Sequence, residues 1–199
     1  MDFPITIVLG DVGSGKSLYA TYLAYMFAKK EEERKLHKFE ERKKVFANFT
    51  LNGIPYVKYE IDDLQKNPFP DHLKNGLLLI DEIQEGGDAY EFMSSGTRQI
   101  SKFISQIRKV DLEPVMISQR LNFIAKRIRE LANYLVFIEK QVIDGIVKVE
   151  VFKVNHFDYV KISSKRYDLR PLFNNYNTKE IIQKKVKDKV QEDSIEDLF

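Results

Sequence analysis

Ile5-Thr6-Ile7-Val8-Leu9 runs directly into Gly10-Asp11-Val12-Gly13-Ser14-Gly15-Lys16-Ser17, and the join between the two stretches decides the fold. The first is a short, β-branched apolar run ended by a glycine, the pattern of a strand buried on both faces. The second fits G-x-x-x-x-G-K-[ST] at every fixed position. Glycines let the backbone wrap an anion so that successive N–H groups point inward at a β-phosphate. The helix that follows from Lys16 adds its positive dipole end. Lys16 can then reach β- and γ-phosphates as a point charge, and the Ser17 hydroxyl can ligate Mg²⁺. Gly10, Asp11, Val12, Gly13, Ser14, Gly15, Lys16 and Ser17 are therefore read together as a phosphate-binding loop between a strand and a helix.

Working outward, the helical pattern runs from Lys16 to about Lys30. The almost wholly charged run Lys29 to Lys44 reads as a solvated extension of that helix, held by i,i+4 pairs. A basic DNA-facing arm is the other reading, weakened by Glu31, Glu32, Glu33, Glu40 and Glu41. Val45-Phe46-Ala47-Asn48 predicts a second strand, and loop signals dominate from there to Asn67-Pro68-Phe69-Pro70. Leu77-Leu78-Leu79-Ile80 is the strongest buried strand, with Asp81-Glu82 at its carboxyl end. A helix is expected from about Arg98 to Lys109, then a strand Val115-Met116-Ile117-Ser118 ending in Gln119. A short amphipathic helix carries Phe123, Ile124, Ile128 and Leu131 on one side. Leu135 to Ile143 and Ile146 to Val154 alternate about Asp144-Gly145, a hairpin signal. Strands separated by helices predict an α/β fold: a mostly parallel sheet covered on both faces, with a C-terminal β-hairpin.

Composition narrows the function. A length of 199 residues, 43% of them apolar, supports one sizeable core. Residues 1–177 are read as one domain and 178–199 as a C-terminal helix with an acidic tail. Lys and Arg number 32 against 30 Asp and Glu, so the formal charge is only +2 and bulk attraction to nucleic acid is excluded. There is no Cys, which removes thiolate catalysis and Cys-ligated zinc, and three His leave little for an imidazole site. The longest apolar stretch, Leu18 to Ala28, would span roughly 16 Å as a helix, about half of a ~30 Å bilayer core. A cytoplasmic protein without a membrane span is expected.

The second half of the site is Asp81-Glu82. In open α/β sheets ligands sit beyond the carboxyl ends of strands, where both the glycine-rich loop and these carboxylates fall. Asp81 would hold Mg²⁺ through water, and Glu82 is placed to polarise a water for in-line attack on the γ-phosphate. The adjacent glutamate favours hydrolysis over phosphoryl transfer to a second substrate.

The order of strand, phosphate loop, helix, strand, Asp-Glu, helix and a strand ending in Gln resembles the additional-strand P-loop ATPases. Within them it resembles the FtsK–HerA group of DNA translocases and viral packaging ATPases. It is more closely similar to the zonula occludens toxin-like proteins and their filamentous-phage assembly relatives. The matching stretches are Gly10 to Ser17, Val45 to Asn48, Leu77 to Gln84, and Arg108 through Gln119 into Ile128-Arg129, within residues 5 to 140. The resemblance implies a RecA-like three-layer sandwich with the Gln119 strand inserted between the loop strand and the Asp81 strand. It implies that Gln119 ends beside the γ-phosphate as a sensor, and that Arg108 is an arginine finger. Arg108 precedes a strand of about five residues, so it should lie some 17 Å from its own nucleotide and serve a neighbouring subunit. Arg98 and Arg120 are rivals for that role.

The function implied is a Mg-ATP hydrolysing motor that moves double-stranded DNA as a homo-oligomeric ring, acting in viral genome packaging. The alternative is an assembly or export factor, or a nucleotide switch, working on protein partners. The toxin-like relatives carry a membrane-spanning segment after the ATPase domain and none is read here, which weighs toward packaging. Lys126, Arg127 and Arg129 are read as solvated surface or as phosphate contacts, and Glu85 to Thr97 as a moving pore element. The segment Glu192-Asp193-Ser194-Ile195-Glu196-Asp197-Leu198-Phe199 is read as a frayed end, or as a tail docking on a capsid or membrane-protein partner through Ile195, Leu198 and Phe199.

Overall fold

The computed structural model describes residues 4–38, 40–66, 69–81, 103, 106–107, 109–124, 126–141, 145–155 and 158–175. Its apolar runs become strands where the sequence places them. They are β1 (Thr6–Leu9), β2 (Lys44–Ala47), β4 (Gly76–Ile80) and β5 (Leu112–Ser118), with a two-residue β3 (Val57–Lys58) between β2 and β4. Every residue of β4 is buried, which is why it reads as an unbroken apolar run. The chain continues through a helix, α2 (Lys126–Leu131), into β6 (Tyr134–Lys140), β7 (Ile146–Asn155) and β8 (Asp158–Asp168).

The described strands form one sheet in the order β3-β2-β4-β5-β1-β6-β7-β8. From β3 to β6 all neighbours are parallel, and β6-β7-β8 is an antiparallel meander. β5 lies between β4 and β1, as the resemblance implies. Register Leu9↔Ser118 on one side and Leu9↔Phe137 on the other puts the glycine-rich turn after β1 level with the ends of both flanking strands.

Two apolar layers sandwich the sheet. On one face Val8, Val45, Leu79, Ile117 and Val136 pack under helix α1 (Lys16–Glu33), through Leu18, Ala20 and Ala24. On the other, Ile7, Phe46, Leu78, Ile80 and Met116 meet Leu64, Leu73, Phe103, Ile107, Ile124 and Ile128. This is the three-layer α/β arrangement expected of the strand and helix pattern.

Several local expectations are corrected. The charged run Lys29 to Lys44 extends the helix only as far as Glu33, where α1 stops, and not across its whole length. Glu31 turns inward at 7% exposure and its carboxylate takes the Arg34 guanidinium at 3.0 Å and the Lys43 N–H at 3.1 Å. That anchor draws the chain back toward β2. The loop expected after β2 contains β3 and a 3₁₀ turn, Ile61–Gln65. Phe123 is 37% exposed, whereas Ile124 and Ile128 are buried, so the helix after Gln119 has a narrower apolar side than expected. The hairpin pairs as predicted, Leu135 with Phe152, but β7 has a second partner in β8. Nearly all of β8 is solvent-exposed at the sheet edge, so no burial pattern marks it.

Candidate functional site

The loop Gly10–Ser17 leaves the carboxyl end of β1 and enters α1. Its conformation depends on Gly10, Gly13 and Gly15, all three at positive φ. A Cβ on Gly10 would stand 2.5 Å from the Ile138 carbonyl and 2.6 Å from Ser14 Oγ. Gly15, the residue before the helix, has φ 94°, a left-handed conformation costly for other residues. The Ser14 N–H donates to the Asp11 carbonyl at 3.1 Å, closing the turn. Lys16 Nζ reaches back to the same carbonyl at 2.8 Å. The lysine ammonium is thus folded over the loop.

The surroundings fit a bound polyphosphate. No side chain caps the first turn of α1 and none of its residues is acidic, so its N–H groups and dipole are available to an anion. Ser14 Oγ is buried and has no hydrogen-bond partner among the described residues. On the metal side, the Ser17 hydroxyl and the Asp81 carboxylate are hard oxygen donors of the kind Mg²⁺ takes. Among the described residues no cluster of three or more His, Cys, Asp or Glu could hold a metal. Two protein oxygens supplemented by phosphates and water suit Mg²⁺, which keeps much of its hydration.

Asp81 is only 5% exposed and follows β4, two strands from β1. Two inter-strand spacings amount to about 10 Å, within reach of a metal-bridged nucleotide. Gln119 follows β5 in the gap between them. Ser118 Oγ donates to the Arg120 carbonyl at 2.9 Å, tightening the turn that presents Gln119. Gln119 and residues Gly10 to Ser14 line a common cavity of about 590 Å³ with Phe137 and Glu150. The structure therefore brings the phosphate loop, Asp81 and Gln119 to one edge of the sheet.

Glu82, Arg98, Arg108, the loop Glu85 to Thr97 and the C-terminal helix and tail expected at 178–199 lie outside the described residues. Ile107 and Lys109, which flank Arg108, precede the amino end of β5. β5 has seven residues rather than five, so about 23 Å of strand separates that end from the nucleotide edge. Lys126 and Arg127 are exposed, and Arg129 donates to Asn122 Oδ1 at 3.3 Å.

Two residues with a bearing on the site carry little sequence signal. Asn48, just past β2, bonds both the N–H and the carbonyl of Asp81. Tyr59, fully buried, donates its hydroxyl to the Leu79 carbonyl at 2.9 Å. Burial first, then the negative charges of Asp81 and Asp63, push the Tyr59 phenol well above its usual 10. It stays a neutral donor. An asparagine ending a strand was the one visible sign of this arrangement.

The zonular occludens toxin (Zot) family profile matches residues 4–183. The chain belongs to the Zot family. No protein of curated function matches the sequence significantly. Among solved structures, the N-terminal domain of zonular occludens toxin from Neisseria meningitidis is similar at 16% identity and a TM-score of 0.61. That match covers 88% of this chain and 100% of the other. The genome packaging NTPase B204 of Sulfolobus turreted icosahedral virus 2, in complex with AMP, is similar at 13% identity and a TM-score of 0.54, covering 82% and 98%. A KaiC-like protein of Pyrococcus horikoshii OT3 is similar at 12% identity and a TM-score of 0.51, covering 83% and 84%. At these identities the likeness establishes the RecA-like P-loop NTPase fold for this Zot-family chain. No helix among its described residues is long and apolar enough to cross a membrane.

Proposed function

We propose that this Zot-family chain hydrolyses Mg-ATP and uses the cycle to move double-stranded DNA as a ring, in viral genome packaging. The observation that carries the reading is the strand order β4-β5-β1, which gathers Asp81, Gln119 and the phosphate loop on one edge. The N–H groups of Gly13 to Ser17 and the Lys16 ammonium bind the β- and γ-phosphates. Ser17 and Asp81 hold Mg²⁺, which when bound neutralises charge developing on the transferred phosphoryl group. Glu82 takes a proton from the attacking water, and Gln119 reports the presence of the γ-phosphate. Arg108 of an adjacent subunit completes the charge stabilisation. Near-neutral charge suits such a ring, since a few weak contacts per subunit are multiplied around the pore and released each cycle.

The test is the ATPase rate with and without long duplex DNA, with Glu82→Gln as the inactive control. Stimulation by duplex supports the motor. Hydrolysis that ignores DNA at every concentration permitting assembly rejects it and leaves the second reading. That second reading is an assembly or export factor, or a nucleotide switch, acting on protein partners, and it is kept because the Zot family profile spans residues 4–183.

A further inference from the structure

Beside α1, and on the same face of the sheet, runs an open apolar groove of about 850 Å³. Leu23, Met26 and Phe27 of α1 form one wall, and Val136, Val151 and Ile162 of β6, β7 and β8 form the other. Met26 is 44% exposed and Ile162 53% exposed, so large apolar side chains face solvent across it. Tyr167 of β8 packs on Tyr19 and Tyr22, with ring centroids 5.7 and 5.3 Å apart, tying β8 to the helix. The rim is cationic. Lys29 and Lys30 line it and are exposed, and Lys153, two residues beyond Val151 on the same strand face, is exposed too. Of the two acids there, Glu113 is paired with Lys43 at 3.2 Å, which leaves Glu33.

An apolar trough edged by lysines calls for an apolar segment that carries carboxylates. This chain contains one. Glu192-Asp193-Ser194-Ile195-Glu196-Asp197-Leu198-Phe199 places three large apolar side chains among four acids. The described chain ends on the groove's own side of the sheet: Leu172 packs in the layer that holds α1, and Asn175 exchanges hydrogen bonds with the Asn52 backbone. Residues 176–191 then provide the tether. Fully extended they span about 50 Å, well beyond the ~16 Å radius of gyration of a domain this size. We propose that the groove between α1 and β6-β8 is the docking site of residues 192–199 of the same chain. Ile195, Leu198 and Phe199 fill it, and the acids face Lys29, Lys30 and Lys153.

The absence of native cysteine permits a direct test on the full chain. Ile162→Cys with Leu198→Cys is oxidised at low protein concentration, and Phe123→Cys with Leu198→Cys serves as the reference on the opposite face. The expected result is an intrachain disulfide forming about tenfold faster in the groove pair, from the local concentration that docking adds. Adding Lys29→Glu and Lys30→Glu slows it about threefold, and Glu192→Lys with Asp193→Lys restores it. Equal rates in groove and reference pairs overturn the proposal. So does a disulfide that forms mainly between chains, which would make a second copy the occupant. Charge reversal without effect overturns the assignment of the rim. Ile162 and Phe123 are both exposed, so a folding defect does not confound the comparison.

Discussion

Asn48 grips the backbone of Asp81 on both sides: its Oδ1 accepts the Asp81 N–H at 2.8 Å and its Nδ2 donates to the Asp81 carbonyl at 3.0 Å. The two residues are 33 positions apart, past the ends of the adjacent strands β2 and β4. A side-chain amide here continues the ladder one residue past β2 and holds the proposed metal-binding acid in register. Asn48→Ala removes both bonds and should cost about 1–3 kcal/mol in denaturant unfolding. It should also raise the Mg²⁺ concentration for half-maximal hydrolysis several-fold, while nucleotide binding without Mg²⁺ is unchanged. An unaltered Mg²⁺ dependence would show that the clamp serves stability alone.

Lys16 and Glu82 should separate binding from chemistry. Lys16→Ala removes a charged donor to phosphate and should weaken ATP binding about ten- to hundredfold. Glu82→Gln should leave binding near normal and lower single-turnover hydrolysis about a hundredfold or more. Fluorescent-nucleotide titration beside single-turnover kinetics reads both.

Arg108 is expected to act across a subunit boundary. Arg108→Ala and Glu82→Gln should each be inactive alone. Mixed in equal amounts, about one quarter of the interfaces in a ring regain a complete site. Recovered ATPase activity on mixing checks this, and none at assembling concentrations excludes a finger in trans.

Glu150 makes the β7–β8 pair sensitive to acid. Hydrogen bonds from Lys161 at 2.5 Å and Lys148 at 3.0 Å hold its carboxyl at about 2, against 4.5 unperturbed. Its folded-state pKa is depressed, so its stabilising contribution is full above about 4.5 and is lost as pH falls toward 2. Carboxyl-carbon NMR should give a midpoint near 2. Lys161→Ala should move it upward, and an ordinary midpoint in the unmodified chain would remove the ion pair from the account.

Much of this site is written locally. The phosphate loop is legible because its glycines meet backbone demands within eight residues, and β1, β4 and β5 because burial on both faces leaves apolar runs. Asp81 follows from its place at the end of such a run. The edge strand β8 escapes the same reading, since exposure on both sides removes the alternation that marks a strand. Glu31 looks like one more solvated acid in a charged stretch until the chain turns back and delivers Lys43 to it.

The sequence alone therefore determined the chemistry on offer: an anion-binding turn, a carboxylate at a strand end and an α/β core to carry them. Only the tertiary structure decided their arrangement. Inserting β5 between β1 and β4 brings Gln119 to the site, and Asn48 meets Asp81 through the pairing of β2 with β4. The groove, too, exists only because α1 crosses strands more than a hundred residues later in the chain. Local backbone preference and burial periodicity act over a few residues and leave a mark in sequence. Strand order and side-chain partners across the sheet are settled by packing between distant segments, which no short window records.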